Sequence, residues 1–484
     1  MICVVITGPS FEEAHRQISQ ALEDADLVEL RLDCFTSLDI RALEKLRSQF
    51  TLPMLFTLRS QSQGGNYTQT EENRLEDIRL LASLKPEYLD LEFHVPSSFV
   101  QEISSQYPEI KIILSYHNFT ETPLDLEGLY QEMQKTPAFY YKIAVTPQHC
   151  LDTMRLLCWT KSCNTGNLNV VGMGDHGQIS RILGPVVGCP ITYATIDENS
   201  SYSTALGQLS AKTLVERYHH RSLGPQTALY GLIGNPVDKS ISDVTHNHLM
   251  SLFNLDAVYV KIEVKPSEVG DFLQFARQLS FCGLSVTMPL KECVLPYLDA
   301  IDPEALAIGA VNTLVFSEKG IAGFNTDGIG ALSAIEEQCS VKNKRIVILG
   351  AGGAAKAIAY EALRRGALVT IVNRTVEKAH LLAQRLHCTG MGLEQMSDCV
   401  AAGYDILINC TSVSMPISPD DILPQTLVMD VVTSPKETVF VRHALEKRCR
   451  IVYGHQMFAE QALGQFQRWC LPIGREALYS LKNL

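Results

Sequence analysis

Within residues 1–215 short β-rich runs alternate with helix-patterned stretches, and this rhythm narrows the folds open to the chain more than any other feature. Eight runs fall near 2–6, 27–32, 54–58, 88–92, 111–115, 139–145, 168–173 and 190–195. Strands separated by helices are parallel strands joined by right-handed crossovers. Eight such units in this length match a closed (β/α)8 barrel, with an open doubly wound sheet as the alternative.

The segment from Tyr218 to Gln226 loses periodicity and gains turn residues, so it reads as a linker, placed at residues 217–227. His219 and His220 within it have the makings of a metal pair, but a solvated connector is the simpler reading, and no metal site is expected. A second α/β region spans 228–335 and a third 336–454, with closing helices over 455–484 that are assigned to the second. The whole is an α/β chain: barrel over 1–216, substrate domain, dinucleotide domain.

Composition limits the partners. Hydrophobic residues make up 46% and charged residues 19%, enough apolar surface for sizeable cores. A net charge of -12, with Lys and Arg never clustered beyond two or three residues, argues against a nucleic-acid partner. The most apolar stretch, near 345–363, carries Lys356 and three glycines, so no membrane segment is expected. The 14 cysteines are scattered without a C-x-x-C, and no leader precedes Ile2-Cys3-Val4-Val5-Ile6, which points to free thiols and the cytoplasm. Oligomeric state is not legible.

In a barrel the working residues stand at the carboxyl ends of the strands. Glu29, Arg31, Arg59, His117, Lys142, Met173 and Arg181 all fall there. A lone strand lysine is usually a rim charge and a lone histidine a satisfied structural group; their common placement is what suggests chemistry. Desolvation disfavours the charged form of a lysine in an apolar barrel and frees its amine to attack a ketone. The resulting iminium acidifies the adjacent C–H, and a histidine can take that proton and return one to a departing hydroxyl.

In the third region Arg345-Ile346-Val347-Ile348-Leu349 runs into Gly350-Ala351-Gly352-Gly353-Ala354 and then a helical stretch. Strand, glycine turn and helix N-terminus together suit a pyrophosphate. The next strand ends in Asn373-Arg374-Thr375, where an NAD-preferring domain would carry an acidic residue; Arg374, with Lys378 one turn on, points to the 2′-phosphate of NADP(H). Upstream, Lys291 and Asp327 lie in turn-rich settings, and a lysine held by a carboxylate can give a proton to an oxygen as hydride reaches its carbon.

The first half resembles the type I 3-dehydroquinate dehydratases, through Glu29-Leu30-Arg31-Leu32-Asp33, Phe56-Thr57-Leu58-Arg59, Ser115-Tyr116-His117-Asn118-Phe119, Tyr141-Lys142-Ile143-Ala144, Ile179-Ser180-Arg181 and Thr204-Ala205-Leu206-Gly207-Gln208. The resemblance implies that Lys142 forms the imine and His117 is the acid/base. It further implies that Arg181, Gln208 and Thr204 hold the carboxylate and ring hydroxyls, with Glu29, Arg31 and Arg59 completing the polar shell. Where the family usually has Glu-Gly-Gly this chain has Gln63-Gly64-Gly65, and its usual Ala-Pro-Gly-Gln is Ala205-Leu206-Gly207-Gln208; reduced efficiency at most is expected.

The second half resembles the shikimate dehydrogenases, through Gly234-Asn235-Pro236-Val237-Asp238-Lys239-Ser240-Ile241-Ser242, Ser285-Val286-Thr287, Lys291, Gly309-Ala310-Val311-Asn312-Thr313, Asn325-Thr326-Asp327-Gly328, the glycine loop, Asn373-Arg374-Thr375, Asn409-Cys410-Thr411-Ser412 and Gln456-Met457-Phe458-Ala459-Glu460-Gln461-Ala462. It implies that Ser240 and Ser242 bind the carboxylate, Thr287, Asn312 and Gln461 the ring hydroxyls, and that Lys291 and Asp327 are the catalytic pair. The glycine loop, Asn373, Arg374, Thr375, Lys378 and Thr411 would hold the cofactor, with Gly454 near the nicotinamide. Asp243, Thr433 and His455 depart from the family pattern, Thr433 at a place that bears on rate or selectivity.

The function implied is dehydration of 3-dehydroquinate followed by NADPH-dependent reduction of 3-dehydroshikimate to shikimate, as in the fused enzyme of plants and some bacteria. A quinate/shikimate dehydrogenase with a weak or inactive barrel is the alternative, to be separated by comparing both acids. A non-catalytic metabolite or NADP sensor is the third reading; its only support is Gln63, and the intact proton-transfer residues count against it.

Overall fold

The computed structural model describes residues 1–197, 207–478 and 481 of the chain. The chain divides into two compact units, one of Met1–Leu229 with Leu255–Ile262 and Asp271–Ser280, the other of Tyr230–Asn254, Glu263–Gly270 and Phe281–Leu484.

The first unit contains eight strands: β1 (Ile2–Ile6), β2 (Leu27–Arg31), β3 (Met54–Thr57), β4 (Tyr88–Glu92), β5 (Lys111–His117), β6 (Tyr140–Val145), β7 (Leu168–Gly172) and β8 (Thr192–Ala194). They form one parallel sheet in the order β7-β6-β5-β4-β3-β2-β1-β8. At the seam between β7 and β8 the Asn169 side chain accepts the backbone N–H of Ile191 at 3.0 Å. The sheet is a nearly closed barrel, as the eight-unit rhythm predicts.

Side chains two apart on a strand share a face, so each strand sends alternate residues inward. Cys3, Leu27, Leu55, Tyr88 and Ile113 belong to a buried apolar cluster that fills the barrel's floor. Two residues further along come the polar ones: Glu29, Thr57, Asp90 and Ser115, then Arg31, Arg59, Glu92 and His117. Helix starts are fixed by short polar caps, such as Ser10, Thr70 and Asp125, each accepting a backbone N–H of the first turn.

One expectation needs correcting. The linker is not a solvated connector throughout: His220 is buried, its Nε2 3.0 Å from Thr192 Oγ1 and 3.2 Å from Arg181 O. The turn-rich composition there reflects a short 3-10 turn, His220–Ser222, that carries an imidazole inward.

In the second unit a parallel sheet has strands Arg345–Leu349 and Ile406–Asn409 at its centre, with Leu368–Asn373 and Thr389–Gly392 on one side, and Leu427–Asp430 and Arg450–Val452 on the other. In sequence order this is 3-2-1-4-5-6, the doubly wound arrangement, whose crevice opens between its first and fourth strands. The neighbouring substrate region pairs Phe281–Val286, Thr313–Ser317 and Gly320–Phe324 antiparallel. Among the described residues no helix is long and apolar enough to cross a membrane.

Candidate active sites

In the first unit one cavity at the barrel mouth is lined by Glu29, Arg31, Arg59, Gln63, His117, Lys142, Arg181 and Gln208, with Tyr193 below. These are the residues the sequence singles out, except Thr204, which lies outside the described residues.

Lys142 is buried, its Nζ 3.8 Å from the centre of the Tyr193 ring and 3.9 Å from Asp90 Oδ2. Burial lowers its pKa, against the opposing pull of Glu29 and Asp90. His117 is held well below the ordinary imidazole range, by burial first and then by Arg59, Lys142 and Arg31. Its Nδ1 is buried with no hydrogen-bond partner among the described residues, and its ring stacks on Phe119. Burial therefore favours the neutral form of both the amine and the imidazole in one cavity, the forms that attack on a ketone and C–H abstraction use.

The three arginines do not behave alike. Arg31 is forked onto Asp33 at 2.9 and 2.8 Å. Arg59 is held by Asp90 at 2.9 Å, with Glu92 at 3.6 Å. Arg181 has no carboxylate partner among the described residues: Nη1 donates to Tyr193 O at 3.1 Å, and Nε, though buried, has none. Desolvation brings its pKa down to about 10. A buried guanidinium with an orphan donor suits a carboxylate ligand. Gln63, at the position of the usual glutamate, accepts the backbone N–H of His117 at 3.3 Å and leaves the ring alone. Asp90 is the residue sequence reasoning missed; the only signal was two acids in a buried run, Tyr88-Leu89-Asp90-Leu91-Glu92.

In the second unit a cavity of 690 Å³ is lined by Ser240, Ser242, Thr287, Lys291, Asn312, Asp327 and Gln461, and on its other wall by Gly352, Gly353, Lys378 and Gly454. Lys291 Nζ contacts Asp327 Oδ2 directly. Asn312 Nδ2 donates to Asp327 Oδ1 at 2.8 Å and to Gln461 Oε1 at 3.2 Å. The Ser240 and Ser242 hydroxyls lie 2.8 Å apart. A residue not foreseen, Gln465, braces this set: Oε1 accepts Ser285 Oγ and Nε2 donates to Asn312 O, both at 3.0 Å.

Gly352 caps the helix Gly353–Arg364 without a side-chain bond, and a Cβ placed on it would meet nothing within 4 Å. A Cβ on Gly353 would come within 3.0 Å of Lys291 Cδ. The turn thus leaves room for a phosphate above bare N–H groups and lets the lysine pass close. A second cavity of 490 Å³ is lined by Ala351, Gly352, Asn373, Arg374, Thr375 and Lys378. Neither Arg374 nor Lys378 has an ion pair with a described residue. These residues fit a 2′-phosphorylated dinucleotide. Gly350 and Thr411 line neither cavity; Thr411 donates its hydroxyl to Asn409 Oδ1 at 2.8 Å, shaping the loop at the crevice.

The folds and sites define a two-part enzyme, a lysine-bearing lyase barrel joined to a dinucleotide-binding oxidoreductase. Residues 2–225 match the type I 3-dehydroquinase family, 232–314 the shikimate dehydrogenase substrate binding domain, and 332–441 the shikimate / quinate 5-dehydrogenase family. The chain is 37% identical over 473 residues to the shikimate biosynthesis protein AroDE of Chlamydia pneumoniae, covering 97% of this chain and 95% of that one. It is 36% identical to the bifunctional 3-dehydroquinate dehydratase/shikimate dehydrogenase of Arabidopsis thaliana, covering 100% of this chain and 84% of that protein. The shikimate dehydrogenase structure of Aquifex aeolicus is 33% identical with a TM-score of 0.51, over 54% of this chain and 98% of that one. The chain belongs to the family of fused type I 3-dehydroquinase and shikimate dehydrogenase proteins.

Proposed function

We propose that the chain catalyses two consecutive steps of the shikimate pathway: dehydration of 3-dehydroquinate to 3-dehydroshikimate, then NADPH-dependent reduction of that product to shikimate. The observation that carries the reading is the pairing, on one chain, of a desolvated Lys142 beside a neutral His117 with a Lys291–Asp327 pair facing the glycine turn.

In the barrel the Lys142 amine attacks the ketone, and Arg181, supported by Gln208 and Thr204, receives the carboxylate. His117 takes the proton next to the iminium and returns one to the departing hydroxyl. Glu29, Arg31 and Arg59 set the field around the amine, Arg31 and Arg59 from positions fixed by their carboxylates. In the other half Ser240 and Ser242 bind the carboxylate, while Thr287, Asn312 and Gln461 orient the ring hydroxyls. Lys291, held in place by Asp327, gives its proton to the carbonyl oxygen. NADPH, when bound, supplies the hydride. Arg374 and Lys378 take its 2′-phosphate, the turn from Gly350 to Ala354 its pyrophosphate, with Asn373, Thr375, Thr411 and Gly454 shaping the remaining walls. Shikimate dehydrogenases named for NADP(+), such as that of Pyrococcus furiosus at 42% identity over 249 residues, support this cofactor. The working boundaries are 1–216 for the barrel, 228–335 with 455–484 for the substrate domain and 336–454 for the dinucleotide domain. All 14 cysteines are free, which suits a cytoplasmic setting, and the partners are small acids rather than nucleic acid or membrane.

The test is a single cuvette holding the protein, 3-dehydroquinate and NADPH. Sustained NADPH oxidation with no other enzyme is expected. Oxidation only when 3-dehydroshikimate is supplied would mean a silent barrel, and none with either would overturn the reading.

A further inference from the structure

We propose that Asp90 is a catalytic residue of the barrel, whose Oδ2 accepts the N–H of the iminium formed on Lys142. The proposal rests on the reading of Lys142 as the imine-forming residue and adds a partner to it.

The two oxygens of Asp90 are unequal. Oδ1 is saturated: it pairs with Arg59 Nη1 at 2.9 Å and accepts the Ser115 hydroxyl at 2.7 Å. Oδ2 is buried with no hydrogen-bond partner among the described residues and stands 3.9 Å from Lys142 Nζ. The side chain is closed to solvent, so water does not complete it. A buried carboxylate oxygen without a donor is costly and persists where something else later satisfies it.

The chemistry provides that donor. Nζ forms the C–N bond to the ketone carbon, and the carbonyl oxygen leaves as water with one proton from the amine and one from the medium. The C=N⁺ nitrogen keeps one N–H and a full positive charge in a dry site, where a charge-assisted bond is strongest. The other groups around Lys142 serve less well. Arg59 is a cation, His117 is neutral, Tyr193 offers its ring face and Cys3 a buried thiol, while Glu29 already accepts Thr57 Oγ1 at 2.8 Å through Oε1. Among the described residues Glu29 is the one rival acceptor, and the test includes it.

The full chain is incubated with 3-dehydroquinate and borohydride, the adduct on Lys142 is quantified by mass, and the pH profile of dehydration is recorded for wild type, Asp90→Asn, Ser115→Ala and Glu29→Gln. In Asp90→Asn, adduct yield and kcat are expected to fall about 10- to 100-fold with KM little changed. The acid limb set by the amine moves to lower pH, because an anion beside it is gone. Ser115→Ala leaves the carboxylate less neutralised and moves that limb to higher pH. Reduction of 3-dehydroshikimate stays at the wild-type rate in all three. A full adduct and an unmoved limb in Asp90→Asn overturn the proposal, as does the whole phenotype appearing in Glu29→Gln alone. If Asp90→Asn does not fold, an unmoved limb in Ser115→Ala overturns it. A wild type that forms no adduct removes the Lys142 reading itself, a different result from any of these.

Discussion

Each half of the chain places a lysine beside an aspartate, and the two pairs are built oppositely. Lys142 and Asp90 face each other at 3.9 Å, both buried, and the carboxylate is turned by Arg59 and Ser115 so that its free oxygen only approaches the amine. Lys291 touches Asp327 directly, on the wall of an open cavity, with Asn312 steadying the other oxygen. A nucleophile must shed its proton to react, so its counter-ion is held back and burial favours the neutral amine. A proton donor must keep its proton until the carbonyl oxygen needs it, so its counter-ion is brought into contact. Distance and burial, more than residue type, assign the roles.

The largest expected effect breaks the comparison at the nucleophile. Lys142→Ala should reduce dehydration to background while NADPH-dependent reduction stays within about twofold of wild type, the two cavities being lined by different residues. Assaying both reactions on one preparation checks this; dehydration surviving at a normal rate would end the imine mechanism. In the mirror experiment Lys291→Ala should lower reduction about 10²- to 10⁴-fold and leave dehydration intact. A Lys291→Ala enzyme of unchanged rate would leave the pair in the second unit as a mere surface contact.

A smaller effect is expected at the cofactor. Arg374 lines the second cavity with no carboxylate partner among the described residues, which leaves its guanidinium open to the 2′-phosphate proposed for it. Arg374→Ala should lower kcat/KM with NADPH about 10- to 100-fold and leave the value with NADH nearly unchanged. Equal losses with both cofactors would instead place the arginine against a group the two share.

The fold was readable because barrel strands buried on both faces are near-continuous apolar runs, and polar residues inside them stand out at alternate positions. Lys142 and His117 stand out in this way, whereas Arg181 lies on the short helix Gln178–Leu183 and is marked only by its place just after the seventh strand. What could not be read is pairing across strands. Glu92 lies opposite Ser115 and Thr57 opposite Asp90 only once the register is fixed, so the tie of Asp90 to Arg59 and Ser115 has no local sequence signal. Gln465 was missed for the same reason, since it meets Ser285 and Asn312 from more than 150 residues away. His220 was misjudged because a turn-rich segment looks the same whether its histidine points to water or inward.

The last prediction concerns acid stability, where the two units are expected to behave alike for once. His220 in the first unit is brought down to about 4 and His246 in the second to about 3, burial being the leading cause in both. In the unfolded chain each imidazole titrates near the ordinary value of about 6.5. The unfolded state therefore binds protons first as pH falls, so the stability these groups provide is complete above about 6.5 and is lost on the way down to the folded value. Between pH 6.5 and 5 the loss is up to about 2 kcal/mol for each histidine. That corresponds to roughly 4–8 °C in the midpoint at which each activity is lost on heating. His246 packs against Phe466 at 4.8 Å and Phe458 and Trp469 at 6.1 Å, with Thr245 Oγ1 3.2 Å from its Nδ1, and a phenylalanine retains the ring contacts while removing the titrating group. His246→Phe should remove this pH-dependent drop from the reductase activity and leave it in the dehydratase. A reductase that stayed equally acid-labile in that variant would show that its sensitivity comes from carboxylates instead.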